Sequence, residues 1–188
     1  MLFGGYHRQL LALLLLWPEQ SFYVREVARL TGVPDTGARL VADLERRLAA
    51  VEPTPDPRRV ALVEWLDPLF APGHWVPEQV EAAGGRSVIG QAHERSREAT
   101  WEALGEAQPE VLVLGLCGFD LPRTLAEWAS FEVPDALTRT PAWQDRELWA
   151  IDGSAYVSRP GPRLVDGVEI LSAILAGRSD GRAVRLSI

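Results

Sequence analysis

Cysteine and histidine are scarce in this sequence of 188 residues, and their scarcity excludes several kinds of site. The single cysteine, Cys117, excludes an internal disulfide framework and a multi-cysteine zinc site. The three histidines have no metal-ligand spacing, and neither GxxxxGK(S/T) nor GxGxxG occurs. No histidine is close to Cys117 in sequence, although His74 could approach it in space, and we interpret Cys117 as a buried or rim thiol and not as a nucleophile. We therefore predict a binding protein without cofactor or metal, and not an enzyme.

Lysine is absent, so all nineteen basic residues are arginine, against 26 acidic residues and a formal net charge of −7. A negative field along the chain argues against a protein that coats nucleic acid. The charge is uneven, because residues 1–59 carry eight arginines and seven acids, whereas residues 60–188 carry eleven arginines and nineteen acids. This difference between the two parts predicts two domains.

Long apolar runs are also absent. Leu10 to Trp17 is an apolar run of eight residues, whereas a membrane span needs about 20. The run could serve as the hydrophobic part of a signal peptide, but the residues that follow it lack the small-x-small cleavage pattern. We expect a buried first helix there and a soluble chain that is, as written, cytoplasmic.

Hydrophobic residues make up 47% of the chain, which is enough for a substantial core. Three alternating prolines in residues 52–57 cannot continue a helix and predict an extended linker. The predicted organisation is a helical segment over 1–51, this linker, an α/β lobe over 58–178 and a tail over 179–188. The tail could add an edge strand or remain frayed.

The first segment has a helix-turn-helix pattern. We predict helices over 7–16, from Ser21 to Gly32 and from Pro34 to Ala50. Small residues at Ala28 and Gly32 let two helices cross around a tight turn. Together with the run from Phe22 to Val33, they resemble the start of winged-helix transcriptional regulators. In those proteins a glycine-containing segment and a β wing follow the last helix, and this sequence shows neither pattern after Leu44.

That resemblance gives the alternative function, a DNA-binding regulator whose α/β lobe senses a small molecule. Thr36, Arg39 and Arg46 would then contact DNA. Acidic residues lie among them, which favours an ordinary solvated helix face. A stripe of Val41, Leu44, Leu48 and Val51 could instead pair two chains into a homodimer.

From residue 58 onward, strand and helix patterns alternate. Strands are predicted over 60–65, 111–116 and 148–151, and helices over 77–83, 96–107, 121–129 and 162–175. Repeated βα units predict a three-layer α/β fold with a mainly parallel sheet. Ligands of such sheets bind beyond the carboxyl ends of the strands.

Three loops follow those strand ends, and they carry aromatic residues and one arginine. These residues are Trp65, Phe70, Trp75, Phe119, Tyr156 and Arg159. If they meet at one rim, they suit a large, flat, partly polar ligand. Alternatively, the aromatic side chains close the core at the sheet edge.

Several motifs support a more specific interpretation, and they occur in one order along the chain. They are Trp65-Leu66-Asp67-Pro68-Leu69-Phe70, Gly73-His74-Trp75-Val76-Pro77-Glu78, Ala83-Gly84-Gly85, and Gly153-Ser154-Ala155-Tyr156 followed by Arg159-Pro160-Gly161-Pro162-Arg163. Over 58–176 the chain resembles the cobalamin-binding family, the substrate-binding proteins of vitamin-importing ABC transporters, which are related to siderophore and haem binders. Residues 37–51 also resemble the helix that joins the two lobes of that family's proteins. The resemblance does not extend to the N-terminal lobe of those proteins.

The resemblance implies a corrinoid or cobalamin-like ligand, which would be cargo and not a cofactor. It implies ligand contacts from Trp65, Trp75, Phe119, Tyr156 and Arg159, and a periplasmic location if the family's role holds. It also implies that Glu98 docks on an ABC transporter permease. Alternatively, Glu98 is a first-turn acid that complements a helix dipole.

Overall fold

The computed structural model of the protein describes residues 24–30, 32–52, 55–179 and 181–187. The expected helix over 7–16, the apolar run and the central Pro-Thr pair of the linker lie outside these residues. The chain divides into two compact units, the first ending at Ala49 and the second beginning at Ala50.

Two helices form the described part of the first unit. Helix α1 spans Val24–Leu30 and α2 spans Pro34–Ala49. The turn between them uses Gly32 at φ +79°, and the Val33 amide donates to the Ala28 carbonyl at 2.7 Å. The left-handed φ explains the glycine. Ala28 is 6% exposed, so a small side chain does lie at the contact between helices.

In the described residues of the second unit, five strands form the main sheet: β1 (Arg59–Val63), β4 (Arg86–Ser87), β6 (Val111–Leu114), β7 (Leu148–Ile151) and β8 (Ala183–Arg185). Their order across the sheet is β4-β1-β6-β7-β8. Neighbours pair in parallel, except that β8 pairs antiparallel with β7. The fold class is therefore the mainly parallel α/β class that the sequence predicts, and part of the predicted tail is an edge strand.

Side chains of the central strands alternate between two buried clusters, one on each face of the sheet. Val60, Leu62, Val111 and Val113 belong to the first cluster. The intervening residues of the same strands belong to the second. Helices cover both faces, which completes the three layers.

Within the part of the second unit that the structure describes, seven helices pack around this sheet or connect its strands. They are α3 (Val76–Ala82), α4 (Trp101–Glu106), α5 (Leu121–Ser130), α6 (Asp135–Thr138), α7 (Pro141–Gln144), α8 (Gly153–Tyr156) and α9 (Arg163–Leu175). Helices α3 and α9 contribute to the first cluster, whereas α4 to α7 contribute to the second. None of the helices in the described part of the chain is long and apolar enough to cross a membrane.

A small antiparallel sheet corrects two of the sequence predictions. It consists of β2 (Trp65–Leu66), β3 (Leu69–Ala71) and β5 (Arg97–Glu98). The predicted strand over 60–65 is therefore interrupted at Glu64. The predicted helix over 96–107 starts only at Trp101, because Thr100 caps it by accepting from the Ala103 amide at 3.1 Å.

The predicted apolar stripe on α2 is shorter than expected. Helix α2 ends at Ala49, and Val51 packs instead against the first core cluster of the second unit. Leu40 and Leu48 are 36% and 40% exposed. Pairing of two chains through this helix stays a prediction.

Candidate functional site

Two neighbouring parallel strands, β6 and β7, end at the same edge of the sheet, and a loop follows each. Both loops lead to an aspartate that caps a helix. The Asp120 carboxylate accepts from the Arg123 amide at 2.9 Å at the start of α5, and the Asp152 carboxylate accepts from the Ala155 amide at 2.7 Å at the start of α8. Such caps satisfy amides that the first helical turn leaves unpaired.

Backbone contacts hold the two loops together. The Ser154 amide donates to the Phe119 carbonyl at 3.0 Å, and the Gly118 amide approaches the Ser158 hydroxyl at 3.4 Å. At Gly153 a Cβ atom would lie 2.2 Å from the Leu116 carbonyl oxygen. Only glycine therefore fits at the point where the loops are closest.

A cleft of about 650 Å³ opens between these loops and residues 157–163, here called the arginine loop. Three arginines and two aspartates are among the residues that line it. The lining residues are Gly118, Asp120, Arg123, Asp152, Ser154, Ala155, Arg159, Pro160, Gly161, Pro162 and Arg163. The cleft lies where open α/β sheets bind ligands.

The three guanidinium groups of the cleft, from Arg123, Arg159 and Arg163, make no ion pair with any residue that the structure describes. Arg123 lies over the ring of Phe119, 3.8 Å from its centroid. The two carboxylates in the lining of the cleft, Asp120 and Asp152, accept hydrogen bonds from amides at helix starts. This arrangement can donate charge-assisted hydrogen bonds to an anionic group.

Of the six rim residues expected from the sequence, Arg159 lines this cleft and the five aromatic residues do not. Phe119 is 5% exposed and meets Trp65 edge-on at 4.9 Å between ring centroids. Phe70 lies opposite Trp65 in the small antiparallel sheet. These positions correspond to the alternative in which aromatic side chains close the core.

Trp75 and Tyr156 are half-buried on the other face of the sheet, where they pack against the first core cluster. The indole of Trp75 donates to the Val157 carbonyl at 2.9 Å. Ligand contact by Trp65, Trp75, Phe119 and Tyr156 stays a prediction.

Four further charged residues line the cleft and are not among the residues expected at the rim: Asp120, Arg123, Asp152 and Arg163. A recognisable signal was present for the first two, because Asp120-Leu121-Pro122 directly follows a strand and its loop. An aspartate followed by proline in the first helical turn indicates a helix start. A polar side chain within the first turn of that helix then faces the edge of the sheet.

Glu64 is a titratable group at the carboxyl end of β1. Burial raises the pKa of its carboxyl group, while a hydrogen bond from Ser96 and the charge of His74 oppose that rise. Its backbone carbonyl accepts from the Cys117 amide at 2.9 Å, at the start of the loop after β6. Among the described residues no group of three or more histidine, cysteine, aspartate or glutamate side chains could hold a metal ion.

Glu98, the expected docking residue, is exposed on β5 and pairs across from Phe70. It therefore does not lie in the first turn of a helix, and the dipole alternative is wrong. Its carboxylate makes no ion pair within the part of the chain that the structure covers. Transporter docking by Glu98 stays a prediction.

The residues expected to contact DNA are exposed on α2 and bond within that helix. Arg46 forms an ion pair with Asp43. Arg39 donates to the Asp35 carbonyl at 3.3 Å and approaches the Thr36 hydroxyl at 3.5 Å. These contacts direct both guanidinium groups toward the chain's own oxygens.

The similarity of this chain to known proteins is found in its structure and not in its sequence. No family model matches the sequence, and no curated protein is significantly similar to it. An ABC transporter substrate-binding protein from Listeria monocytogenes superposes with a TM-score of 0.71 at 13% identity, over 82% of this chain and 62% of that one. A periplasmic haem-binding protein from Pseudomonas aeruginosa gives 0.68 at 22%, over 88% and 63%. A periplasmic vitamin B12-binding protein of Vibrio cholerae gives 0.58 at 20%, over 84% and 63%.

The chain has the fold of the periplasmic substrate-binding proteins. This confirms the fold that the sequence motifs imply. The chain spans 55% to 60% of the length of the first three such structures.

Proposed function

We propose that the cleft binds a large planar ligand with anionic substituents, of the corrinoid or haem class, and that the chain is the ligand-binding part of an ABC importer. The observation that supports this most is the set of three guanidinium groups in the cleft without ion pairs among the described residues. Asp120 and Asp152 also line the cleft, so its side chains carry one more positive than negative charge, in a chain whose net charge is −7. A bound anion would pair with guanidinium groups that have no ion pair among the described residues.

The arginines of the cleft also distinguish between haem and cobalamin as ligands. Haem carries propionate carboxylates, whereas the periphery of cobalamin is mostly neutral amides. Arginine pairs with carboxylates through two parallel hydrogen bonds, and amides offer no charge to such a pair. The guanidinium groups therefore favour a carboxylate-bearing tetrapyrrole over cobalamin, while both ligand types occur among proteins of this fold.

The proposed partner is the permease of an ABC importer, and the proposed location is outside the cytoplasm. Periplasmic proteins share the fold, and they give no support to the cytoplasmic location expected from the sequence. Glu98 is the proposed docking residue, because it is exposed and its carboxylate is free to meet an arginine. DNA binding is not proposed as a second function, since Arg46 is already paired with Asp43.

Equilibrium titration with haem and with cyanocobalamin, followed by tryptophan fluorescence, tests the proposal. We expect haem to bind more tightly than cyanocobalamin. Replacing Arg159 or Arg163 by glutamine should weaken haem binding about ten- to a hundredfold each, since a charge-assisted hydrogen bond contributes roughly 1.5–3 kcal/mol.

Arg178→Gln is the matched control, because Arg178 is exposed, lies outside the lining of the cleft and carries the same charge. Its replacement should leave haem affinity within about twofold, since surface charges act weakly through solvent. Absence of binding of either probe at high micromolar concentration would contradict the proposal. An equal loss in Arg178→Gln and Arg159→Gln would show that only the overall charge matters.

A further inference from the structure

The arginine loop is fastened at both ends by helix α3, which lies about eighty residues earlier in the chain. Gln79 of α3 uses one amide nitrogen for two bonds. That nitrogen donates to the Tyr156 carbonyl at 2.9 Å, just before the loop, and to the Leu164 carbonyl at 2.8 Å, just after it. Trp75, one helical turn earlier, donates to the Val157 carbonyl.

Burying the Gln79 amide leaves its oxygen without a hydrogen bond from the described residues, which destabilises the fold. Gln79 is 5% exposed, and its Oε1 has no hydrogen-bond partner among the described residues. An unpartnered buried acceptor is unfavourable, and an apolar side chain of the same size would avoid it. Helix packing alone therefore does not account for glutamine at this position.

Gly167 of α9 leaves room for the same amide. A Cβ atom at Gly167 would lie 2.2 Å from Gln79 Nε2 and 2.7 Å from the Tyr156 carbonyl oxygen. The absence of a side chain at Gly167 thus permits both the amide and the loop end to take their positions. Glycine inside a helix is otherwise unfavourable by about 1 kcal/mol relative to alanine.

From these contacts we propose that Gln79 is a positioning residue, which holds the two ends of the arginine loop and thereby places Arg159 and Arg163 in the cleft. The consequence for binding rests on the proposed function, whereas the fastening of the loop does not. Both amide protons go to the carbonyls that flank the loop, so loss of the amide would release both ends together.

Gln79→Met tests the proposal, because methionine has a similar volume and no donor. Within residues 157–163 the hydrogen-bonded amides are those of Val157 and Ser158, which donate to the Gly153 carbonyl. Their hydrogen exchange, measured by mass spectrometry, should become at least about tenfold faster, whereas exchange in β6 and β7 should stay unchanged. Gln108→Met is the matched control. Gln108 also donates from Nε2 to a carbonyl, that of Gly105, but it lies outside the lining of the cleft. Unchanged exchange in residues 157–163 of Gln79→Met would overturn the proposal.

A double-mutant cycle with haem as the probe separates positioning from general stability. If Gln79 places Arg159, the combined loss of affinity in Gln79→Met with Arg159→Gln should be several-fold smaller than the product of the two single losses. Independent effects that multiply would contradict positioning. Faster exchange in a protein that binds no haem would support the fastening and refute only the proposed function.

Gly167→Ala provides a second route if Gln79→Met does not fold. The added methyl group would lie too close to both the Gln79 amide and the Tyr156 carbonyl, so it breaks the hydrogen bond between them and leaves the Gln79 side chain in place. Faster exchange in residues 157–163 is again the expected result. Exchange equal to that of the unaltered protein would overturn the proposal.

Discussion

The loop after β6 and the loop after β7 both lead from a buried strand to a capping aspartate, yet they hold their arginines in different ways. Arg123 lies three residues after Asp120, and its side chain rests on Phe119 of the same loop. Arg159 and Arg163 follow the four-residue helix α8, and the arginine loop that carries them is bonded to Trp75 and Gln79. The position of Arg123 is thus decided locally, whereas the positions of the other two depend on a distant helix.

The largest effect should come from Gly153→Ala, which strikes the contact between the two loops. The added Cβ would lie 2.2 Å from the Leu116 carbonyl oxygen and 2.7 Å from that of Gly115, and both are backbone atoms that cannot rotate away. We expect a loss of about 3 kcal/mol or more in the free energy of unfolding, measured by urea denaturation.

Gly161→Ala is the control within the arginine loop, where an added Cβ would meet no described atom within 4 Å. It should change the free energy of unfolding by less than about 1 kcal/mol. A Gly153→Ala protein as stable as Gly161→Ala would mean that the loops are not in close contact.

The two aspartate caps offer a direct comparison of the loops. Asp120→Ala and Asp152→Ala should each lower the free energy of unfolding by about 1 kcal/mol, since each removes one side-chain bond to a helix-start amide. Asp120 begins the ten-residue α5, whereas Asp152 begins the short α8 that leads into the arginine loop. Only Asp152→Ala should therefore speed amide exchange in residues 157–163.

The matching asparagine variants serve as controls, because an asparagine oxygen also caps a helix. Asp152→Asn should leave exchange in residues 157–163 close to that of the unaltered protein. If Asp120→Ala speeds exchange there as strongly as Asp152→Ala, the two loops form one cooperative element and the distinction between them fails.

Much of the fold can be predicted from the sequence because its signals are local. The apolar runs at Val111–Leu114 and Leu148–Ile151 are long enough to indicate buried strands, and proline and aspartate mark the helix starts. The small sheet is harder, because Arg97–Glu98 is too short and polar to show a strand pattern. It becomes a strand only by pairing with Leu69–Ala71, which is distant in sequence.

The candidate site is predictable only in part, because contacts between segments that are distant in sequence decide where several of its residues lie. Arg159 follows a predicted strand end, so its place near the cleft can be expected from topology. The burial of Phe119 depends on Trp65 meeting it from another strand, and the support of the arginine loop depends on Gln79. Contacts between distant segments leave no periodic signal in one sequence.

The smallest effect should come from a change at Glu64. Its backbone carbonyl accepts a hydrogen bond from Cys117 in the loop after β6. Burial raises the pKa of its carboxyl group above the ordinary value of about 4.5, so the folded state holds this proton more tightly than the unfolded state. The resulting contribution to stability is fully present below pH 4.5 and is lost as the pH rises through the raised pKa.

Glu64→Gln should remove this dependence on pH. The stability of the variant relative to the unaltered protein, measured by urea denaturation, should therefore increase slightly from pH 4.5 to neutrality. A relative stability of Glu64→Gln that falls with rising pH would mean that the hydrogen bond from Ser96 and the charge of His74 outweigh burial.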